Sequence, residues 1–210
     1  ELPGEIDYVI VSVPAKVVPL VIRDCIAKGV GAVHLYTAGY GETGTESGMQ
    51  LELELEAMAK NGGLKIVGPN CIGLFNPSIG VGMNLGGYES SSGRFAFISH
   101  SGSQSSGVTR AAWAHGLMAS KVISMGNGLI LDTPDYLDYF AQDDATSVIG
   151  MYVEGVRNGK RFFQTLKEVC AKKPVLVWKV GETEEAGEVV EGHSTSKATR
   201  PDVWDAMLRQ

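Results

Sequence analysis

Short β-branched runs alternate with amphipathic stretches along most of the chain. Residues 6–13 (IDYVIVSV) form a nearly continuous apolar run stopped by Pro14, the pattern of a buried strand. A helical stripe follows. Val18, Val21, Ile22, Cys25 and Ile26 share one face, Lys16, Arg23, Asp24 and Lys28 fall off it, and Gly29 is placed to cap its C-terminus. Residues 32–37 (AVHLYT) read as the next strand, followed by a glycine-rich loop over 39–48. Residues 50–60 (QLELELEAMAK) fit two periods: Leu51, Leu53 and Leu55 alternate as in a strand, whereas Leu51, Leu55, Met58 and Ala59 make a helical stripe. Their abundance of Leu, Glu, Met and Ala favours the helix. A short strand at 65–67 leads into Gly68-Pro69-Asn70-Cys71.

Residues 76–93 are rich in Gly, Ser, Asn and Pro and have little periodicity, so they read as a linker with a domain boundary near Ser90. A second alternation follows, with strands over 94–99, 121–125, 147–153 and 174–180. The intervening helices cover 101–115, a segment capped by Thr133 with Pro134 at its first position, and 159–172. In the second helix Leu137, Phe140 and Ala141 face inward; in the third, Phe162, Phe163, Leu166, Val169 and Cys170 do. Such alternation predicts parallel sheets with helices on both faces, and ligands at the carboxyl ends of the strands.

Composition narrows the classes of function. With 44% hydrophobic and 20% charged residues, the 210-residue chain has the balance of a globular protein. A net charge of −6 gives no electrostatic support to nucleic-acid binding, so an anionic ligand must be held by local donors. No apolar run reaches the ~18 residues of a membrane span. Cys25, Cys71 and Cys170 are too few and too scattered for a disulfide framework or a zinc site, which suits a reducing cytoplasm and no metal. The sequence opens at Glu1, directly before a strand, which reads as a fragment or a processed chain.

Four places carry candidate chemistry. In Ser99-His100-Ser101-Gly102-Ser103 a strand ends and a helix begins. The free N–H groups of the helix's first turn make an anion site there, with Ser101 and Ser103 adding hydroxyls; simple serine capping is the alternative. His193, in the polar run Gly192-His193-Ser194-Thr195-Ser196, lies on no apolar stripe. It is either an exposed loop histidine or a nucleophile able to take up a phosphoryl group. Glu154 follows a strand, where it could orient a histidine or simply be solvated. Cys71 ends a turn where it could face a ligand, or be a small buried apolar residue. Ser101 with His100 and Asp132 lacks the spacing of a nucleophile elbow.

Together these segments resemble the NDP-forming acyl-CoA synthetases. Residues 6–14, Gly39-Tyr40-Gly41-Glu42-Thr43-Gly44 and Gly68-Pro69-Asn70-Cys71-Ile72-Gly73 look like the later part of that family's CoA-binding domain. Residues 99–107, Gly126-Asn127, residues 143–154 and Lys173-Pro174-Val175 look like the succinyl-CoA-ligase flavodoxin-like domain that follows. Gly192-His193 and residues 202–210 look like its phosphohistidine loop and next helix. The resemblance implies an α/β chain of two three-layer parallel-sheet domains: a truncated Rossmann-like CoA-binding unit over 1–90 and a flavodoxin-like unit over 91–210.

It also implies an acid–thiol ligase that interconverts acyl-CoA, phosphate and ADP or GDP with acid, CoA and ATP or GTP, through an acyl phosphate and a phosphohistidine. By position, His193 carries the phosphoryl group, Glu154 polarises it, and Ser101, Gly102 and Ser103 cradle phosphate. Pro14, Gly68, Pro69, Asn70 and Cys71 lie along coenzyme A. The implied partners are a small carboxylic acid and an ATP-grasp domain or subunit holding Mg and nucleotide, within an oligomer. The sequence departs from the family in three ways. Ser194 to Lys197 stand where a glycine usually follows the histidine. His100 stands where glutamine or arginine is usual. The glycine-rich loop that opens the CoA domain would precede Glu1. A non-catalytic CoA-binding scaffold is the rival reading, favoured by the departure after His193. A dinucleotide-binding domain is disfavoured because no G-x-G-x-x-G follows the first strand.

Overall fold

The computed structural model describes residues 3–82, 92–181 and 201–208. The elements run β1 (Tyr8–Val11), α1 (Val18–Lys28), β2 (Ala32–Leu35), α2 (Glu46–Gly62), β3 (Lys65–Val67), β4 (Gly73–Phe75), β5 (Phe95–Ser99), α3 (Gly102–Ala114), β6 (Ala119–Ser124), α4 (Thr133–Gln142), β7 (Val148–Val153), α5 (Gly159–Cys170), β8 (Val175–Lys179) and α6 (Pro201–Leu208). Strands β1, β2 and β3 form one parallel sheet in that order. A second sheet runs β4-β6-β5-β7-β8, parallel except for β4, which pairs antiparallel with β6. The chain therefore changes sheets at the turn after β3, ahead of the glycine- and serine-rich stretch near Ser90.

The first core comes from the helical stripes predicted on α1 and α2. Val18, Ile22 and Cys25 meet Leu55 and Ala59 over Val11, Val33, Leu35 and Ile66. Gly29 takes the left-handed conformation (φ 74°) that closes α1. Helix α2 starts four residues before the predicted segment because Thr45 caps it, its Oγ1 accepting from the Gly48 N–H at 3.1 Å. Only one face of this sheet is covered by α1 and α2. On the other, Ile10 is 62% exposed and Tyr36 55%.

The second sheet has helices on both faces, and its strands alternate to match. Ile98, Ile123, Ile149, Met151 and Val153 pack against Leu137 and Phe140 of α4 and Phe162, Leu166 and Val169 of α5. Phe97 and Val122 turn to the opposite face, toward Phe75 and Val108. Trp204 of α6 completes the first of these cores against Phe162, ring centroids 5.4 Å apart.

Two local expectations need correction. Asp132, rather than Thr133, caps α4: its Oδ1 accepts from the Thr133 N–H at 2.7 Å, while Asp135 accepts from the Asp132 N–H at 2.8 Å. The reciprocal pairing lets two acidic residues use the helix's free donors at once. Cys170 is exposed rather than buried, because the apolar stripe of α5 ends at Val169. No helix among the described residues is long and apolar enough to cross a membrane.

Candidate functional site

The carboxyl ends of β1, β2, β3 and β5 converge on a cleft of about 430 Å³. Ser12, Val13 and Pro14 leave β1, Tyr36, Thr37 and Ala38 leave β2, Asn70, Cys71 and Ile72 follow β3, and His100 and Gly102 flank the end of β5. The cleft thus lies where strand ends of the two sheets face each other, as parallel sheets direct their ligands.

At the β5–α3 junction the capping reading holds for Ser101. The Ser101 hydroxyl caps α3, accepting from the Gln104 N–H at 3.4 Å, and lies 3.0 Å from Ser103 Oγ. The Ser101 N–H donates to Ser99 Oγ. That leaves the N–H groups of Gly102 and Ser103 without a hydrogen-bond acceptor among the described residues. They point the positive end of a 13-residue helix toward the cleft. A Cβ on Gly102 would sit 3.1 Å from Ile72, so a larger residue here crowds the cleft wall.

Behind this turn lies a buried ionic cluster. His100 is 5% exposed, Glu154 2% and Asp132 8%. The His100 ring is shifted below the ordinary histidine range, chiefly because burial opposes its charge; Glu154 and Asp132 pull it upward and Arg157 opposes them. Glu154 is therefore no solvated residue: it directly follows β7 inside the protein, and its carbonyl accepts from Lys179 Nζ at 3.1 Å.

The remaining predicted residues divide. Pro14, Asn70 and Cys71 line the cleft, whereas Gly68 and Pro69 are buried beneath it. A Cβ on Gly68 would lie 2.7 Å from Leu35 O and 2.8 Å from Cys71 Sγ. The Cys71 thiol is pushed up to about 12 by burial, partly offset by a backbone hydrogen bond at Gly73, and its Sγ lies 3.6 Å from Leu35 O. It is a neutral buried group, not a nucleophile. His193 lies outside the described residues, as does the loop around it.

Sequence reasoning did not single out the polar seam beside the cleft. Asn127 Nδ2 donates to Glu42 Oε2 at 2.6 Å and to Glu52 Oε2 at 3.2 Å. Arg157 donates to Glu52 Oε1 at 3.1 Å and to the Asn127 carbonyl at 3.2–3.3 Å. Glu42 also accepts from the N–H groups of Gly39 and Tyr40. These partners are up to 105 residues apart, so no local pattern marks them. Ser12, Tyr36, Thr37 and Ala38 could have been found, because they stand at or just past the carboxyl ends of the predicted strands 6–13 and 32–37.

Comparison with known proteins identifies the family. Residues 92–210 match the family described as "Succinyl-CoA ligase like flavodoxin domain", and residues 1–77 match "CoA binding domain". The chain is 38% identical over 210 residues to "Acetate--CoA ligase [ADP-forming] I" of Archaeoglobus fulgidus, covering 100% of this chain and 30% of the relative. It is 36% identical over 210 residues to "Acetate--CoA ligase [ADP-forming] II subunit alpha" of Pyrococcus furiosus, covering 100% and 46%. The solved structure of a dinucleotide-forming acetyl-coenzyme A synthetase 1 of Ca. Korarchaeum cryptofilum, in complex with phosphate and ADP, superposes with a TM-score of 0.90 at 31% identity, covering 100% of this chain and 45% of that one. The chain thus spans less than half the length of these relatives. With a Rossmann-like sheet ahead of a flavodoxin-like one, it belongs to the family of the succinyl-CoA-ligase-like flavodoxin domain joined to a CoA-binding domain.

Proposed function

We propose that the chain is the acyl- and phosphoryl-handling part of an NDP-forming acyl-CoA synthetase, with residues 1–90 serving coenzyme A and residues 91–210 serving phosphate. One observation carries the reading: the first turn of α3, with two unused N–H donors, opens into a cleft whose opposite wall comes from the CoA-binding sheet. A phosphate seated at Gly102 and Ser103 lies beside a thioester that reaches in past Pro14 and Asn70. Its oxygen attacks the acyl carbonyl, the C–S bond breaks, and the CoA sulfur leaves as thiolate and takes up a proton. The helix N-terminus stabilises the charge on the acyl phosphate.

His193 then attacks phosphorus through a ring nitrogen, the P–O bond to the acyl group breaks, and the free acid leaves. Glu154 holds the ring in the required tautomer. The loop delivers the phosphoryl group to ADP or GDP, bound with Mg on an ATP-grasp domain or subunit. The acid is a small carboxylic acid, the assembly an oligomer, and its compartment the cytoplasm.

The test is labelling of the chain by its ATP-grasp partner and radiolabelled ATP. The expected label is acid-labile and base-stable, is absent in His193→Asn and falls sharply in Glu154→Gln. A wild-type chain that stays unlabelled leaves a CoA-binding scaffold as the better reading; a label on His100 removes His193 from its role.

A further inference from the structure

His100 has a half-used ring in a buried place. It follows β5 directly and lines the cleft beside Gly102. Its backbone N–H donates to Tyr152 O at 3.3 Å, and ring Nδ1 lies 3.4 Å from the same oxygen. A carbonyl only accepts, so in the neutral ring the proton is assigned to Nδ1, and Nε2 is left with a bare lone pair. Among the described residues Nε2 has no hydrogen-bond partner. The free N–H groups of Gly102 and Ser103 offer an anion two donors, while the neighbouring ring offers only a lone pair that repels it. A glutamine or arginine here would donate directly; histidine can donate through Nε2 only when protonated.

The surroundings set what protonation costs. Glu154 at the end of β7 and Asp132 at the start of α4 favour the charged ring, and Arg157, between β7 and α5, disfavours it. From the first sheet, Tyr36 and Cys71 line the same cleft, and burial holds the Cys71 thiol protonated at neutral pH. Burial outweighs the two carboxylates, so at pH 7 the ring is neutral. A dianion arriving at the first turn of α3 adds a third attraction for the charged ring. Without an imidazolium the dianion would also feel Glu154 and Asp132 unscreened.

Resting on the anion cradle of the proposed function, we propose that His100 is a proton-coupled anion contact: a tetrahedral dianion binds at Gly102 and Ser103 together with one proton from solvent, which enters Nε2 and turns it into a donor to the anion. The ring is thereby a specificity device, favouring doubly charged tetrahedral oxyanions over neutral or singly charged ligands of the same size.

Sulfate is the clean probe, because it does not titrate between pH 5 and 8. Calorimetric titration of the chain should show affinity rising as pH falls from 8 to 6, about tenfold in total; linkage of one proton allows at most tenfold per pH unit. The gain levels off below the free ring's titration, which lies under the ordinary ~6.5. His100→Gln should bind sulfate with no pH dependence, and His193→Asn should keep the wild-type slope. A slope that survives in His100→Gln or vanishes in His193→Asn overturns the proposal. A pH-independent affinity in the wild type overturns it and leaves the cradle standing; no sulfate binding between pH 6 and 8 overturns both. Should His100→Gln fail to fold, the wild-type chain still decides. The assigned His100 ring proton must titrate at higher pH with sulfate than without, and an unmoved midpoint overturns the proposal.

Discussion

Gly126 shows how one residue fixes the cleft's back wall. Its φ of 55° lies in the left-handed region, and a Cβ built there would sit 2.1 Å from Pro69 O and 2.4 Å from Asn70 O. The next residue, Asn127, donates its N–H to that same Pro69 oxygen at 3.0 Å. Backbone of the second sheet thus lies directly on the turn that carries Asn70 and Cys71. Gly126→Ala combines an unfavourable φ with a clash against backbone that cannot rotate away. It should lower stability by about 3 kcal/mol, read as a lower urea midpoint at an unchanged slope. A change below about 0.5 kcal/mol would mean that the turn yields easily. At this scale the serines and glycine of α3's first turn were legible, because capping chemistry is local. The company of His100 was read only in part: Asp132 was grouped with it and set aside for want of nucleophile-elbow spacing, and Glu154, 54 positions further along the chain, was not joined to it, because only the order of β5, β7 and α4 brings both to the ring.

Strands and helices were legible where their periodicity was strong. The stripes on α1 and α5, the β-branched runs of β1 and β7, and the glycine after α1 all mark elements that formed. Strand β4 was not legible, because Gly-Leu-Phe is three residues long and owes its pairing to Ser124, Ile123 and Val122 across the sheet. The end of α4 was hidden for a similar reason. Asp143 accepts from Lys121 Nζ at 2.7 Å and Thr146 Oγ1 at 2.6 Å, and Lys173 Nζ donates to the carbonyls of Phe140 and Asp143 at 2.6 and 2.7 Å. Those bonds tie the helix end to β6 and to the turn before β8. Partial burial alone would raise the Asp143 carboxyl, but the hydrogen bonds from Lys121 and Thr146 outweigh it and hold the group below its ordinary value. A depressed folded value means stability that is present above the unfolded carboxyl's ~3.9 and lost as pH falls through the folded one. Asp143→Asn should therefore cost about 2 kcal/mol at pH 7. By pH 3 the gap to wild type should have narrowed, since both proteins then approach an uncharged side chain. Equal gaps at the two pH values would remove the ionic account.

Across the whole molecule, two sheets with separate cores are held together by a narrow seam. Backbone bonds run from Asn127, Leu129 and Leu131 to Pro69, Gly68 and Ile66, and Leu129 enters the first core. The side-chain part of the seam is Asn127, 4% exposed, between the carboxylates of Glu42 and Glu52. Its amide donates to both, so it offsets the repulsion of two acids drawn to one point. Asn127→Asp keeps the shape and reverses the sign, placing a third carboxylate where a double donor stood. Arg157 alone cannot neutralise three charges, and its 37% exposed side chain is partly screened by solvent. The variant should lose about 3 kcal/mol at pH 7, read as a lower urea midpoint. The seam also couples the two cores, and the two spectroscopic signals can separate them. All three tryptophans, Trp113, Trp178 and Trp204, lie in the second part of the chain, whereas far-UV dichroism reports on both. In wild type the two signals should fall together in urea, as one cooperative transition. In Asn127→Asp the dichroism should begin to fall before the fluorescence, because the three-stranded sheet, covered on one face and cut loose from the seam, is the weaker unit. Coincident curves in the variant would show that the backbone bonds and Leu129 couple the sheets without the polar seam.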